Sequence, residues 1–169
     1  MAQPQEQVKT KGVRQVLTNV AEARAAVIQV TGVANRTLSI MTHDLEPDIY
    51  DHDDFLETLK RFILARTFAR VRVLILEPAR VLLSASRFVA MGRRLNSYIE
   101  FRRVTPDLAN HPDAFFIADE HALVYRARAE SWQGVSDTYE PAVARMYLSK
   151  FETLWNACEI EPEIRQLQI

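Results

Sequence analysis

The spacing of hydrophobic positions changes several times along the chain, and each change marks an element. Asn19 and Glu22 stand at capping-box spacing ahead of an alanine-rich stretch that reaches Val30, before Gly32, so a first helix is predicted there. Leu38, Ile40 and Met41 then make residues 37–42 read as a short buried strand. Residues 43–50 contain Pro47 and read as an irregular loop. The acids between Asp51 and Asp54 suit a helix N-terminus. Phe55, Leu56, Leu59, Phe62 and Ile63 follow at helical spacing, carrying a second helix to about Thr67. Val71, Val73, Leu74, Ile75 and Leu76 form the next strand. A strand, a helix and a second strand imply a right-handed parallel crossover.

Pro78 ends that strand. A third helix, roughly residues 84–95, places Ala85, Phe88, Gly92 and Leu95 on one side and Arg87 and Arg94 on the other, with Arg93 and Arg94 complementing the helix dipole. Residues 98–104 alternate Ile99, Phe101 and Arg103 against Glu100 and Arg102, the pattern of a third strand with one partly wet face. Beyond a loop with two prolines, Phe115, Phe116 and Ile117 are apolar enough for a central strand. Asp119, Glu120 and His121 make a tight turn, and Leu123, Val124 and Tyr125 pair back antiparallel. A variable segment, residues 128–138, belongs at the domain edge. The last helix has Asp137 and Glu140 at capping-box spacing, Pro141 in its first turn, and a buried stripe of Val143, Tyr147, Phe151, Leu154 and Cys158 flanked by Trp155.

The order αβαβαβ, hairpin, helix predicts an α/β fold: a mixed sheet of three parallel strands plus an antiparallel hairpin, flanked by helices. Residues 1–17, polar and rich in Gln and Lys at their start, are assigned to a disordered tail, and residues 18–169 to a single domain.

Composition narrows the setting. Hydrophobic residues make up 48% of the 169, which suffices for a substantial core. One cysteine, Cys158, excludes an intramolecular disulfide and suits a reducing cytoplasm. Residues 1–11 lack the apolar centre of a secretory segment, and no apolar run is long enough for a membrane span, so no membrane role is expected. The net charge of −1 conceals an uneven distribution. Seven acids and no Lys or Arg lie in residues 40–57, while residues 60–103 hold eleven bases against Glu77 and Glu100. The simplest expectation is that these segments neutralise one another across the fold.

Thr42, His43, Asp44, Asp48, Asp51, His52, Asp53 and Asp54 cluster just after the first parallel strand, where open α/β sheets place ligands. His43 and Asp44 are donors a divalent metal could use. However, no paired-histidine spacing accompanies them, and acids at a helix start serve as caps. No metal and no cofactor are therefore expected. Arg93, Arg94, Arg102 and Arg103, beside Thr105 and His111, could hold an anionic, phosphate-like group. Nucleic acid is not expected, because the pI is about 6.4, no recognised motif is present, and aromatic residues interleave poorly with the bases. Ser84 and Ser86 lack a nucleophile elbow, Cys158 sits on an apolar stripe, and the glycines stand singly, without a phosphate-cradling loop.

The element order, together with residues 45–50 (LEPDIY), 93–99 (RRLNSYI) and 116–119 (FIAD), resembles one half of the phospholipase D superfamily and a small family of bacterial domains of that fold. That superfamily's motif is His-x-Lys, four residues, then Asp: the histidine is the nucleophile and the lysine holds phosphate. Aligning its aspartate with Asp119 places Pro112 and Ala114 where the histidine and lysine belong, and His111 is one residue out of register. The resemblance thus implies the fold without its catalytic residues. What remains is a non-catalytic interaction or regulatory domain, with His43, Asp44, Arg102, Arg103 and His111 as candidate ligand-binding residues and an anionic ligand or a protein as partner. Because enzymes of that superfamily use two such halves, the resemblance also implies a homodimer. The alternative is a divergent phosphotransfer or metal-dependent hydrolytic enzyme. That reading requires His43, Asp44, Glu77, Arg103 and His111 to share one concave site at the C-terminal ends of the parallel strands.

Overall fold

The structure is a computed structural model and describes residues 11–81 and 86–160. Helix α1 (Val20–Gly32) starts as its sequence predicts: the Glu22 backbone N–H donates to Asn19 Oδ1 at 2.9 Å, and Asn19 Nδ2 donates back to Glu22 Oε1 at 2.9 Å. Its Ala23, Ala26, Val27 and Val30 are buried. Strand β2 (Thr37–Thr42) lies at the centre of the sheet. Next to it is β3 (Arg70–Ile75), reached through α3 (Asp53–Leu64), and then β4 (Ile99–Arg103), reached through α4 (Arg87–Arg94). The three strands are parallel, in the registers Thr37↔Arg70 and Val71↔Ile99.

The expected hairpin is β5 (Ala114–Ala118) and β6 (Ala122–Arg126), and β5 joins the sheet beside β2, antiparallel to it. Inserting the hairpin on that side of β2 sets the start of β5 against the end of β2. Helices on both faces bracket the alternation of buried residues. Leu38, Ile40, Val71, Val73, Ile75, Phe101 and Phe116 face α1, α3 and α4 in one core. Met41, Leu74, Phe115 and Ile117 face α5 (Pro141–Ala157) in the other. In the first core Tyr50, Phe55, Phe88 and Phe116 pack ring against ring, with centroids 5.1 to 6.4 Å apart.

Several elements depart from the reading of the sequence. Residues 14–17, assigned to the tail, form an edge strand, β1 (Arg14–Leu17), antiparallel to β7 (Gly134–Asp137) within the segment expected to be variable. Each is short, and the partner that makes it a strand lies about 120 residues away, so local periodicity carries no trace of it. Residues 1–10 of that tail lie outside the described residues. The loop 43–50 contains a turn of helix, α2 (Pro47–Tyr50), begun by Pro47, because proline is preorganised for a first helical position. The third helix starts at Arg87 behind a Ser86 cap, whose Oγ accepts from Val89 N at 3.2 Å; the predicted start at Ser84 and Ala85 lies outside the described residues. Val143, placed on the buried stripe of the last helix, is 37% exposed and lines an open cleft with Leu123, Tyr125 and Val135. Glu140 caps that helix without a side-chain bond; Asp137 instead accepts from Tyr139 N at 2.9 Å. A two-residue strand, β8 (Glu159–Ile160), pairs with β4, and among the described residues the sheet has eight strands in the order β1-β7-β6-β5-β2-β3-β4-β8.

Candidate functional site

Because β5 runs against β2, the C-terminal end of β2 and the N-terminal end of β5 meet at one edge, on the face covered by α5. His43 directly follows β2 on that face, and its side chain is 16% exposed. Its Nε2 lies 3.3 Å from the carbonyl oxygen of Asp113, and its Nδ1 3.5 Å from Glu77 Oε1 at the end of β3. Parallel pairing sets that second contact: the Glu77 N–H donates to the His43 carbonyl at 2.7 Å. Glu77 also pairs with Arg80 Nη1, at 2.7 Å. Asp113 is buried, and both its carboxylate oxygens accept from Lys150 Nζ, at 2.9 and 2.8 Å. Lys150 reaches down from the middle of α5. His111 stands beside them. Partial burial holds its pKa below the ordinary imidazole value. The positive charge of Lys150 adds to that effect, Asp113 opposes it, and His43 contributes a further lowering.

The turn behind this cluster is strained and braced. Leu45 and Glu46 follow β2 with φ of 63° and 24°, uncommon for residues with a side chain. Glu46 is nonetheless locked. Thr42 Oγ1 donates to Glu46 Oε2 at 2.9 Å, and the other carboxylate oxygen pairs with Arg126 at the end of β6, with both side chains buried. Arg126 further donates to the Ala129 and Ser131 carbonyls, each at 2.9 Å, and its guanidinium stacks 4.8 Å from the Trp132 ring. Desolvation pulls its pKa down to about 10. Glu46 is therefore a structural carboxylate, and its partners fix the path of the chain on which His43 and Asp44 ride.

The structure brings some of the sequence-predicted residues together and separates others. His43, Glu77 and His111 converge. Asp44 follows His43 in the chain, where its Oδ1 accepts from Glu46 N at 3.2 Å, and it lines a cleft of about 170 Å³ with Pro47, Asp51 and Arg80. Arg102 and Arg103 alternate to opposite faces of β4. Arg102 is spent on α5: it donates to the Trp155 carbonyl at 2.8 Å and stacks 4.1 Å from that indole, with Glu100 beside it. It fastens β4 to the helix. Two members of the cluster, Asp113 and Lys150, were missed by sequence reasoning. They are 37 residues apart with no shared periodicity, and the one available signal was a lysine in the last helix of a chain whose bases are mostly arginine. Among the described residues no group of three or more His, Cys, Asp and Glu is arranged to hold a metal ion, and no helix is long and apolar enough to cross a membrane.

Asp119, expected as a turn residue, does more than turn. It has φ 53°, and its carboxylate accepts from the backbone N–H groups of Asn35, Arg36 and Thr37 at 2.8, 2.7 and 2.9 Å. With Asp119 fixed at the hairpin, the positions aligned with the phospholipase D histidine and lysine, Pro112 and Ala114, flank Asp113 at the head of β5.

A family model described as a domain of unknown function, DUF7931, matches residues 19–167. The chain belongs to DUF7931. Solved structures show that the DUF7931 chain shares the fold of a phospholipase D family member. Nuc from Salmonella typhimurium, a phospholipase D family member, superposes with a TM-score of 0.61 at 18% identity, covering 89% of this chain and 99% of that one. NucT from Helicobacter pylori gives 0.59 at 12%, over 89% and 99%. The archaeal chromatin protein TrmBL2, whose structure shows a novel mode of DNA binding, gives 0.62 at 16%, over 95% of this chain and 56% of that one. No curated protein matches the sequence.

Proposed function

We propose that this DUF7931 chain is a non-catalytic phospholipase D-like domain that acts in interaction or regulation. One observation carries the reading. At the head of β5, buried Asp113, flanked by Pro112 and Ala114, already holds the Lys150 ammonium with both carboxylate oxygens. His43 is likewise held between Glu77 and a backbone carbonyl. A phosphoryl group entering there meets cations that are neutralised, and proline and alanine supply neither nucleophile nor phosphate ligand. A fold shared at under 20% identity carries no activity with it.

The convergence of His43, Glu77, His111, Asp113 and Lys150 favours a second reading, a divergent phosphotransfer enzyme. Hydrolysis of bis(p-nitrophenyl) phosphate, with and without magnesium, manganese or zinc, separates the two. We expect nitrophenol release no faster than that of a His43→Ala/His111→Ala double variant. Release by the parent chain that the double variant loses would establish the enzyme. The resemblance to two-halved enzymes also supports a homodimer, and sedimentation velocity at twice the 19.4 kDa chain mass is the outcome that agrees with it. The single cysteine supports a cytoplasmic setting.

A further inference from the structure

The acidic and basic segments do not cancel across the fold. From the basic segment, Arg87 pairs with Asp51 and Asp53, while Arg72, Arg80 and Arg102 find Glu152, Glu77 and Glu100 outside the acidic segment. Four other arginines gather at the opposite end of the sheet from His43, about 20 Å away along the six residues of β2. Parallel pairing of Thr37 with Arg70 sets two loops side by side there, residues 33–36 after α1 and residues 65–69 after α3. Arg36, Arg61, Arg66 and Arg70 lie on or beside these loops. Among the described residues none of the four has a carboxylate within ion-pair distance.

Their guanidinium groups are positioned without being neutralised. Arg66 Nη1 donates to the Phe62 carbonyl at 3.2 Å, and Arg70 Nη1 to the Ala69 carbonyl at 2.7 Å. Each keeps its full charge and its remaining donors for a ligand. Arg61 and Arg66 flank a shallow depression of about 200 Å³ with Thr31, Gly32, Ala34 and Thr58. Rings lie among the cations. Arg36 sits 5.9 Å from the Phe68 ring, Arg66 5.2 Å from Phe62, and Arg70 5.9 Å from Tyr98. Phe68 itself is 56% exposed, a large apolar ring presented to solvent between arginines. Asp119 is the carboxylate bonded to these loops, and it is consumed by the three backbone N–H groups it caps.

We propose that Arg36, Arg61, Arg66 and Arg70, with Phe68, form a binding surface for single-stranded nucleic acid. Forked guanidinium groups match phosphate oxygens. An exposed ring beside a backbone-tracking row of cations is the arrangement on which an unpaired base stacks, independent of its identity. The bases that looked poorly interleaved with aromatics in the sequence become interleaved because the fold joins two loops about 30 residues apart. The proposal does not depend on the chemistry of the His43 end.

The test is fluorescence anisotropy of a labelled oligothymidylate titrated with the full chain across a salt series. We expect binding at low salt, with log affinity falling against log salt at a slope of about −3, the value for four neutralised phosphates on a single strand. Arg61→Gln/Arg66→Gln should reduce the slope to about −1.4. Phe68→Ala should weaken binding roughly 5- to 150-fold with the slope unchanged. His43→Ala, at the other end of the sheet, should bind as the parent does. These side chains are at the surface, and circular dichroism checks that each variant is folded. The proposal is overturned by no anisotropy change at low salt, by an unaltered slope in the arginine variant, or by equal affinity for a duplex with no effect of Phe68→Ala.

Discussion

Lys150 Nζ sits 2.9 and 2.8 Å from the two carboxylate oxygens of Asp113, a residue buried beneath it at the head of β5. The pair ties α5 to the sheet where the two chain ends of β2 and β5 meet. Lys150→Met strands a buried carboxylate. Since the lysine end is 31% exposed, the cost should fall short of a fully buried pair, at about 2–3 kcal/mol in urea denaturation. An Asp113→Asn/Lys150→Met double variant should recover most of that loss, because no unpaired charge remains.

His111 gives the fold an acid-sensitive term. Its pKa is lowered on folding, so the unfolded chain binds more protons in the window just below 6.5, and stability should rise with pH there and level off above it. His111→Asn should flatten that part of the stability–pH curve. Lys150→Met, by removing a repelling charge, should move the His111 titration upward in an NMR pH series. An unmoved titration would contradict the placement of Lys150 against His111.

Glu46 and Arg126 form a buried ion pair behind the strained turn. Glu46→Ala leaves a guanidinium in the core and should cost about 3–5 kcal/mol, whereas Glu46→Leu/Arg126→Met should be much closer to the parent. Thermal melts of the three chains decide it. The turn also positions His43, so Glu46→Ala should broaden or shift the His43 ring resonances.

Asp119 accepts three backbone hydrogen bonds from a left-handed conformation. Asp119→Ala loses both advantages and should cost about 3–4 kcal/mol. Asp119→Asn, which tolerates that φ and keeps one acceptor oxygen, should cost about half as much. Equal losses in the two variants would mean that charge, and not geometry, carries the effect.

The sequence by itself determined the parts of this protein that depend on local pattern. The period-3.6 apolar faces of α1 and α3, the Asn19 cap, the three parallel strands and the β5–β6 hairpin all follow from residues within one element or its neighbour. So did the absence of a histidine and a lysine at Pro112 and Ala114. Tertiary structure decided the rest, because the partners involved are far apart in the chain. β1 exists only as an edge for β7, and Lys150 finds Asp113 only because the hairpin enters beside β2. Arg102 is taken up by Trp155, while Arg36 and Arg66 meet no carboxylate among the described residues. Charge counted along the chain says how many ions of each sign there are. Only the fold says which of them meet, since an ion pair reaches a few ångströms and the sheet separates its two ends by about 20.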